Sequence, residues 1–193
     1  AQSANAAPKD QLKIEDNTMV YFVDDVFTVH KKRVKKILRL MIKEKLNMKW
    51  KCEARTDNLD NEIAELLNEA GCVRVKLGFE SGSDKILKQV KKLETRDEML
   101  HGARLLKDNK VAFSGYFMTG FPGETDEDLQ QTIDFAKEVK ANYYSLSVLA
   151  PYYGTELFND LMAKGHALDK QPWEYFFQQS LSFLSVHLQY QAH

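Results

Sequence analysis

Five groups of acidic, basic and glycine-rich residues follow apolar segments of strand length, where they could bind a ligand. The groups are Asp24 and Asp25; Arg55; Glu80 and Ser81; Gly120 to Glu124, which includes Pro122 and Gly123; and Pro151 to Gly154, which includes Tyr152. Carboxylates accept hydrogen bonds from ammonium and hydroxyl groups, and a guanidinium can bind a carboxylate through two parallel hydrogen bonds. Functional residues of a parallel βα barrel gather at the carboxyl ends of its strands. We therefore expect the five groups to line one mouth.

Each group also has an explanation that needs no ligand. Asp25 can cap a turn, Glu80 can form an ion pair with Arg55, and the glycine and proline pairs can simply make turns. Taken singly, the groups leave both interpretations open.

The order of hydrophobic patterns predicts the elements that would carry these residues. Strand-length apolar runs alternate with helical patterns five times, which is typical of an α/β fold with a parallel sheet and crossover helices. The predicted strands cover residues 19–24, 48–55, 73–79, 111–119 and 142–149. The predicted helices cover 31–46, begin near 60, 83, 95 and 125, and include a short one after 154.

Individual residues mark several helix ends. Asp60 is a predicted N-cap and Gly71 the matching C-terminal stop, while Thr95 with Glu98 forms a predicted capping box. Residues 1–17 show no period and are predicted to be an irregular lead-in. Residues 18–165 form the predicted barrel, and residues 166–193 fit a helical segment better than a strand because the helical pattern is longer.

Composition limits the classes of partner. The chain has 44% hydrophobic residues, 28% charged residues and a formal net charge of -1, which gives no global reason to expect nucleic acid or a membrane. The basic residues within 31–39 alternate with apolar ones at helical spacing, as on the solvated face of a helix. No apolar run approaches the roughly 20 residues that cross a bilayer. We expect a cytoplasmic protein.

Five strings in the same order resemble the motifs of radical S-adenosylmethionine (SAM) proteins, similar to their cobalamin-binding and methylthiotransferase branches. The strings are VYFVDDVFT, KWKCEARTD, AGCVRVKLGFESGSDKILKQVKK, GYFMTGFPGETDEDLQQTI and APYYGTEL, and they span roughly residues 19 to 160. The resemblance implies a partial (βα) barrel of the radical SAM type, with about five parallel strands and crossover helices.

The resemblance also implies roles for the first three groups. Asp24 and Asp25 would lie near the amino group of SAM, and Arg55 would pair with its carboxylate. Glu80 and Ser81 would contact the ribose or the amino-acid part, with neighbouring glycines keeping side chains out of the way.

The last two groups would contact the other end of the cofactor. Gly120, Pro122 and Gly123 would pass their backbone alongside the adenine, whereas Glu124 would anchor that turn. Tyr152, together with Val148, would offer adenine an apolar contact, although ordinary core packing explains these two side chains equally well.

The cysteine content departs from the family pattern. Radical SAM enzymes hold a [4Fe-4S] cluster with a CxxxCxxC loop, but this chain has only Cys52 and Cys72, which we expect to be buried and inert. We interpret the chain as a fragment lacking the cluster loop and inactive alone. The complete enzyme would carry the cluster, could bind cobalamin, and would reductively cleave SAM to a 5'-deoxyadenosyl radical that abstracts hydrogen from an unknown substrate.

The reaction subclass stays open at this point. Methyl transfer with cobalamin, methylthiolation of a nucleic acid and carbon-skeleton rearrangement all fit, and the second is least supported because no basic RNA-binding extension is visible. A rival from another class is a cluster-free module that binds a nucleotide or a protein partner without redox chemistry. A hydrolase or aldolase barrel would need a catalytic lysine, histidine or metal cluster at the strand ends, and none of the histidines lies there.

The absent first strand also predicts an exposed edge. Residues 19–24 would leave unpaired backbone groups beside Val20, Phe22 and Val23. Residues 1–17 or the segment around Val186 could cover this edge, but we expect association, for example as a homodimer.

Overall fold

The computed structural model describes residues 19–172, over which strands and helices alternate. The strands are β1 (Met19–Tyr21), β2 (Lys49–Ala54), β3 (Cys72–Glu80), β4 (Phe113–Thr119) and β5 (Tyr143–Val148). The helices are α1 (Lys31–Lys43), α2 (Asn61–Glu69), α3 (Asp84–Gln89), α4 (Arg96–Asp108), α5 (Asp126–Val139) and α6 (Glu156–Ala163). Short 3₁₀ turns occupy Thr56–Asn58 and Leu168–Lys170.

The strands follow one another in the sheet in their order along the chain, β1-β2-β3-β4-β5. β1 pairs in parallel with β2, Val20 opposite Trp50, and β4 pairs in parallel with β5, Phe117 opposite Leu146. A helix connects each strand to the next, as parallel neighbours require. The prediction of an α/β fold with five parallel strands and crossover helices is confirmed.

β1 is shorter than the sequence pattern indicates. It ends at Tyr21, and the ring of Phe22 packs against Phe27 and Trp50 at centroid distances of 4.9 and 5.2 Å. The predicted apolar edge is therefore partly covered, although Val23 remains 79% exposed.

The described residues form two compact units, of which the first comprises residues 19–76 and 101–113. Its core surrounds Trp50, which is fully buried and whose indole N–H donates to the Ala70 carbonyl at 2.7 Å. α1 and α2 pack together, with Leu38 and Leu67 fully buried. The apolar positions of both helices recur every three or four residues, so each helix buries one face and leaves the other in water.

The second unit comprises residues 77–100 and 114–172. Phe79 of β3 stacks on Phe117 of β4 at 5.4 Å, and Phe135 of α5 meets the Phe79 ring edge-on at 5.8 Å. Such offset and edge-on pairs add about 0.5–1.5 kcal/mol each to the stabilisation from burial. A smaller cluster of Ala150, Phe158 and Leu168 packs beneath α6.

The predicted helix ends are confirmed where the structure describes them. The Asp60 carboxylate accepts the Ile63 N–H, and Gly71 follows α2 with φ +84°. The Thr95 N–H donates to the Glu98 carboxylate at 2.8 Å, which is the predicted capping box.

Four helices are followed by a lysine in the left-handed region. Lys45 after α1, Lys91 after α3, Lys110 after α4 and Lys140 after α5 have φ values of 51°, 56°, 59° and 50°. This conformation costs a non-glycine residue about 1 kcal/mol, and it turns the chain back sharply at each helix end.

Two predictions concern residues outside the described range. The irregular lead-in falls almost entirely on residues 1–18, and the C-terminal helical segment falls mainly on residues 173–193. The proposed division into lead-in, barrel and C-terminal segment stays a prediction. Between residues 19 and 172, no helix has the length and apolar character needed to cross a membrane.

Gly71 should be among the least replaceable residues of the first unit. Its φ of +84° strains any other residue, and a Cβ there would lie 2.5 Å from the Met48 carbonyl oxygen. We expect Gly71→Ala to lower the free energy of unfolding by more than about 1 kcal/mol. Gly165→Ala is the matched control, since Gly165 has φ +90° but no atom of residues 19–172 lies within 4 Å of its Cβ position. Urea denaturation of both variants measures the cost of the clash, and equal losses would contradict it.

Candidate functional site

β3 ends at Glu80 in a strained backbone conformation. Glu80 has φ +61°, in the left-handed region that residues other than glycine rarely adopt. The next N–H, of Ser81, donates to the Phe79 carbonyl at 2.8 Å, so the chain turns tightly at this point. Backbone strain of this kind costs about 1–3 kcal/mol and concentrates at functional sites.

The Glu80 carboxylate lies beside a buried ammonium group. Lys92 Nζ is 3.7 Å from Glu80 Oε1 and 3.1 Å from Glu94 Oε2, and it donates to the Gly78 carbonyl at 2.7 Å. The Lys92 side chain is 11% exposed and that of Glu94 only 1%, whereas Glu80 keeps 27% exposure. Glu80 is therefore the member of the cluster with the most access to a ligand.

Burial raises the pKa of the Glu80 carboxyl above its ordinary value. The charge of the Lys92 ammonium, 3.7 Å away, acts in the opposite direction, and the negative charge of Glu94 adds to the rise. The ionisation of Glu80 thus depends on the Lys92 ammonium, whose charge opposes the rise in pKa that burial causes.

The two glycines beside Glu80 have different roles. A Cβ on Gly78 would overlap the Glu80 carboxylate, so the absence of a side chain there makes room for that group. A Cβ on Gly82 would overlap the Gln131 carbonyl of α5, and here the glycine allows close helix packing. The expectation that both glycines clear space for a cofactor fits Gly78 better than Gly82.

A buried polar network follows Glu80 and links β3 to α5. Ser81 is fully buried, and its hydroxyl lies 2.9 Å from that of Thr132 and accepts the Ser83 N–H at 3.1 Å. The Ser83 hydroxyl donates to Asp128 Oδ1 at 2.6 Å. The geometry gives the Ser81 side chain a place in this network, and its contact with a ligand stays a prediction.

Asp128 is the centre of this network, and its spacing from Thr125 indicates a capping box but not the contacts with α3. Its carboxylate accepts hydrogen bonds from the ammonium of Lys85 at 2.6 Å and from the N–H of Thr125 at 2.9 Å. The residue is only 5% exposed. The bonds from Lys85, Ser83 and Thr125 hold the pKa of this carboxyl well below its usual range. Asp128 and Thr125 also form the capping box that begins α5.

α3 fixes the turn after β4, which consists of residues 120–124. Lys85 Nζ donates to the Gly123 carbonyl at 2.7 Å, and Gln89 Nε2 donates to the Pro122 carbonyl at 3.0 Å. Pro122 and Gly123 are exposed, and Gly123 has the positive φ, +74°, that its place after proline predicts.

Glu124 anchors the same turn from within, as predicted. Its Oε2 accepts the Gly120 N–H at 2.5 Å and the Thr119 hydroxyl at 2.7 Å. Its other oxygen, Oε1, is buried and has no hydrogen-bond partner among residues 19–172. The turn therefore presents the exposed Pro122 and Gly123 on a rigid support.

The predicted residues of the first unit lie near its surface. Asp24 and Asp25 are exposed, and Asp24 lies 3.8 Å from the guanidinium of Arg33. Arg55 directs its guanidinium fork at the neighbouring Asp57, with N–O distances of 3.1 and 2.8 Å. Arg55 thus shows the bidentate geometry expected for binding a carboxylate.

Tyr152 and Val148 differ in their surroundings. Tyr152 is 44% exposed, which leaves its ring open to contact. Val148 is half-buried and packs against the small cluster beneath α6, so ordinary core packing accounts for it.

Sequence reasoning missed a polar sheet face in the first unit. The Tyr21 hydroxyl donates to the Glu53 carboxylate and accepts a bond from Lys76 Nζ at 2.8 Å, while Lys51 Nζ lies 4.9 Å from the centre of the Tyr21 ring. Burial, with a contribution from Glu53, raises the pKa of the Tyr21 hydroxyl. The signal was present in KWKCEAR, where charged residues alternate with buried ones.

The cysteines are both buried and free, as predicted. A hydrogen bond with Cys72 and then burial raise the pKa of the Cys52 thiol well above its ordinary value. Cluster iron is held by thiolates, so the buried Cys52 thiol with its raised pKa is a poor ligand. Within residues 19–172, no group of three or more His, Cys, Asp or Glu side chains is arranged to hold a metal ion.

Comparison with known proteins agrees with these features. The model of the radical SAM superfamily matches residues 10–136 of this chain. The chain belongs to the radical SAM superfamily.

Two curated relatives show the range of the similarity. An uncharacterized methyltransferase of Pyrococcus horikoshii is 33% identical over 144 residues, which cover 75% of this chain and 31% of the relative. The bacteriochlorophyllide d C-12(1)-methyltransferase of Chlorobaculum tepidum is 30% identical over 142 residues, or 72% of this chain and 31% of that protein. The chain thus spans less than a third of the length of these relatives.

A solved structure shows the same fold. The radical SAM methyltransferase TsrM of Kitasatospora setae, solved with cobalamin and a [4Fe-4S] cluster, aligns with a TM-score of 0.66 at 20% identity. The alignment covers 78% of this chain and 29% of TsrM. The predicted fold class, a partial (βα) barrel of the radical SAM type, is confirmed.

The Asp128 network predicts a loss of stability in acid. A carboxyl whose pKa is lower in the folded state stabilises the fold above its unfolded pKa of about 3.9, and this contribution is lost as the pH falls below that value. We expect Asp128→Asn to unfold more easily at pH 7 and to lose less stability than the parent between pH 5 and pH 2. Urea denaturation across this range measures both effects. Asp126→Asn, at an exposed position of the same helical turn, is the control, and parallel pH profiles for Asp128→Asn and the parent would contradict the assignment.

Proposed function

We propose that this chain is the SAM-binding part of a radical SAM enzyme, and that the β3 end and the 120–124 turn of the second unit contact the cofactor. The observation that carries the proposal is the strained backbone of Glu80, which presents a partly exposed carboxylate at a strand end. Strain that is retained without a packing reason indicates a functional constraint. Membership of the superfamily supplies the class of ligand.

The donor and acceptor chemistry of the site fits SAM. A carboxylate accepts hydrogen bonds from ribose hydroxyls or from an ammonium group, and Glu80 supplies one with a cleared space at Gly78. The exposed backbone of Pro122 and Gly123, with no atom within 4 Å of the Gly123 Cβ position, offers a flat approach for the adenine. Gly120 and Tyr152 would complete that contact.

When bound and reduced, SAM supplies a radical able to abstract hydrogen from an unreactive carbon. The residues of this chain would bind and orient it. Glu80 would accept hydrogen bonds, and Lys85 and Gln89 would keep the 120–124 turn from moving. Rigid support of this kind lowers the entropy that binding costs.

The roles of the remaining residues stay predictions. Asp24 and Asp25 would accept bonds from the SAM amino group, Arg55 would pair with its carboxylate, and Ser81 would contribute a hydroxyl. For Arg55 this requires the guanidinium to exchange Asp57 for the ligand.

The cysteines of this chain do not fit a [4Fe-4S] cluster. Two buried thiols on β2 and β3 are fewer than the three thiolates of the family's loop. We therefore derive no step through a cluster and propose that cleavage of SAM requires ligands other than these two. Cobalamin as a further cofactor is supported by the solved structures of TsrM and OxsB, which contain it.

The substrate and the reaction subclass stay open. Methyl transfer is supported by the names of the two methyltransferase relatives, and methylthiolation by a putative methylthiotransferase of Methanocaldococcus jannaschii that is 37% identical over 105 residues. A cytoplasmic location and association through the β1 edge also stay predictions.

SAM binding is the direct test. We expect the 193-residue chain to bind SAM with a Kd of tens to hundreds of micromolar, because the contacts that a cluster would add are missing. Glu80→Ala should weaken binding about tenfold, the loss expected for a hydrogen bond to a charged group. Isothermal titration calorimetry measures both values, with Glu127→Gln, which changes an exposed carboxylate on α5, as the control.

ATP should bind more weakly than SAM. A chain that prefers ATP, or that binds SAM equally well without Glu80, would instead support the cluster-free nucleotide module.

Cluster reconstitution tests the interpretation of the cysteines. We expect the chain, incubated anaerobically with iron and sulfide, to retain no stoichiometric [4Fe-4S] cluster and to form no 5'-deoxyadenosine from SAM. Cys52→Ser should give the same result because Cys52 is not a ligand. Iron analysis, absorption spectroscopy and product chromatography report the outcome, and four irons per chain that disappear in Cys52→Ser would overturn the interpretation.

A further inference from the structure

We propose that Lys92 is a positioning residue of this site, which holds the Glu80 carboxylate in its binding orientation as an anion, so that SAM affinity is constant around neutral pH. The inference rests on the proposed function, because it assigns a role to Glu80 in binding SAM. It also makes a statement about Glu80 that can be measured without SAM.

The contacts of Lys92 join the strand end to the loop after α3. Its ammonium donates to the carbonyl of Gly78 at 2.7 Å, on the strand that carries Glu80 two residues later. The same ammonium lies 3.7 Å from Glu80 Oε1 and 3.1 Å from Glu94 Oε2. Since the side chain is 11% exposed, little solvent can screen these charges.

The backbone leaves Lys92 little freedom to move elsewhere. α3 ends with Lys91 in the left-handed region, where its N–H donates to the Lys88 carbonyl at 3.2 Å. The Lys92 N–H then donates to the Leu87 carbonyl at 2.9 Å. These two bonds form the Schellman pattern of a helix end, which places the Lys92 side chain next to the β3 end.

The charges around Glu80 are unbalanced. Among residues 19–172, the charged groups that act on the pKa of its carboxyl are Lys92 and Glu94, so one ammonium serves two carboxylates. Glu94 is 3% exposed and shares the same ammonium, so loss of the lysine would leave both carboxyls buried without it. Burial and Glu94 would then both favour the protonated form of Glu80, and that form offers one acceptor oxygen fewer to a cationic ligand.

The consequence is a pH dependence that appears only when Lys92 is removed. With the lysine in place, we expect Glu80 to be ionised throughout pH 6–8 and the affinity for SAM to be flat. Without it, protonation of Glu80 should compete with SAM, and affinity should fall as the pH is lowered. If Lys92 had only a structural role, its removal would lower stability and would weaken SAM binding by the same factor at every pH.

The experiment compares Lys92→Met, Lys92→Arg and the control Lys91→Met. Lys91 is the adjacent lysine, and its ammonium pairs with the exposed Glu156 at 3.0 Å. The first measurement is the pKa of Glu80 without SAM, from the side-chain carboxyl resonance in ¹³C NMR, assigned by its disappearance in Glu80→Gln. The second is SAM affinity by calorimetry from pH 5.5 to pH 8.

We expect Lys92→Met to raise the pKa of Glu80 and to bind SAM about tenfold more weakly at pH 6 than Lys91→Met, with a smaller difference at pH 8. Lys92→Arg should restore both values, because it keeps the charge. An unchanged Glu80 pKa in Lys92→Met would overturn the inference, as would equal pH profiles of binding. Should the parent chain bind no SAM, the proposed function fails, and the NMR titration still decides whether Lys92 controls Glu80.

A second variant covers the case in which Lys92→Met does not fold. Glu94→Gln removes the charge that opposes ionisation of Glu80 and leaves Lys92 in place. We expect it to lower the Glu80 pKa in the same NMR titration. A pKa that stays the same or rises in Glu94→Gln would overturn the account of how this cluster sets the charge of Glu80.

Discussion

The arrangement of the second unit depends on one buried carboxylate. Asp128 receives hydrogen bonds from the start of α5, from the Ser83 hydroxyl and from the Lys85 ammonium of α3. An anion with so little exposure depends on its hydrogen-bond donors, and loss of one of them leaves part of its charge uncompensated. The starts of two helices and the carbonyl of Gly123, which shares Lys85, are thereby tied to a common point. The loop after β3, where Ser81 and Ser83 are buried, and the turn at residues 120–124 are thereby held by the same polar network.

Glu80 lies next to that network, but its environment differs from that of the network residues. The residues after it are satisfied internally, with Ser81 fully buried and Ser83 bonded to Asp128. Glu80 instead keeps a strained backbone, partial exposure and a cation that only partly compensates its burial. This arrangement is expected of a binding group. The hydrogen-bonded residues around Asp128 supply the rigidity, and the Glu80 carboxylate, whose charge Lys92 only partly stabilises, supplies the ligand contact.

Much of the fold was predictable because its signals are local. The alternation of strand-like and helix-like hydrophobic patterns predicted the five strands and the helices. Asp60 and Thr95 marked helix starts and Gly71 a helix end, each through contacts within a few residues. What failed depended on distant contacts. Asp128 has the capping-box spacing from Thr125, but the Lys85 ammonium that it accepts from lies 43 positions away along the chain. β1 ends early because the Phe22 ring finds Trp50, which is 28 positions away. The partner of Glu80 was likewise Lys92, which lies 12 positions away and is brought back to the strand by the helix end after α3.

The left-handed lysines that follow α3, α4 and α5 have a consequence for sequence variation. The left-handed backbone of each lysine destabilises the fold by about 1 kcal/mol. Its positive charge near the negative end of the helix dipole stabilises the fold by about 0.3–1 kcal/mol. Glycine would remove the strain and the charge together, so the exchange is nearly neutral at low salt. At high ionic strength the dipole contribution is screened while the strain is not, and glycine becomes the better residue. Relatives from saline habitats should therefore carry glycine at the positions of Lys110 and Lys140 more often than relatives from fresh water.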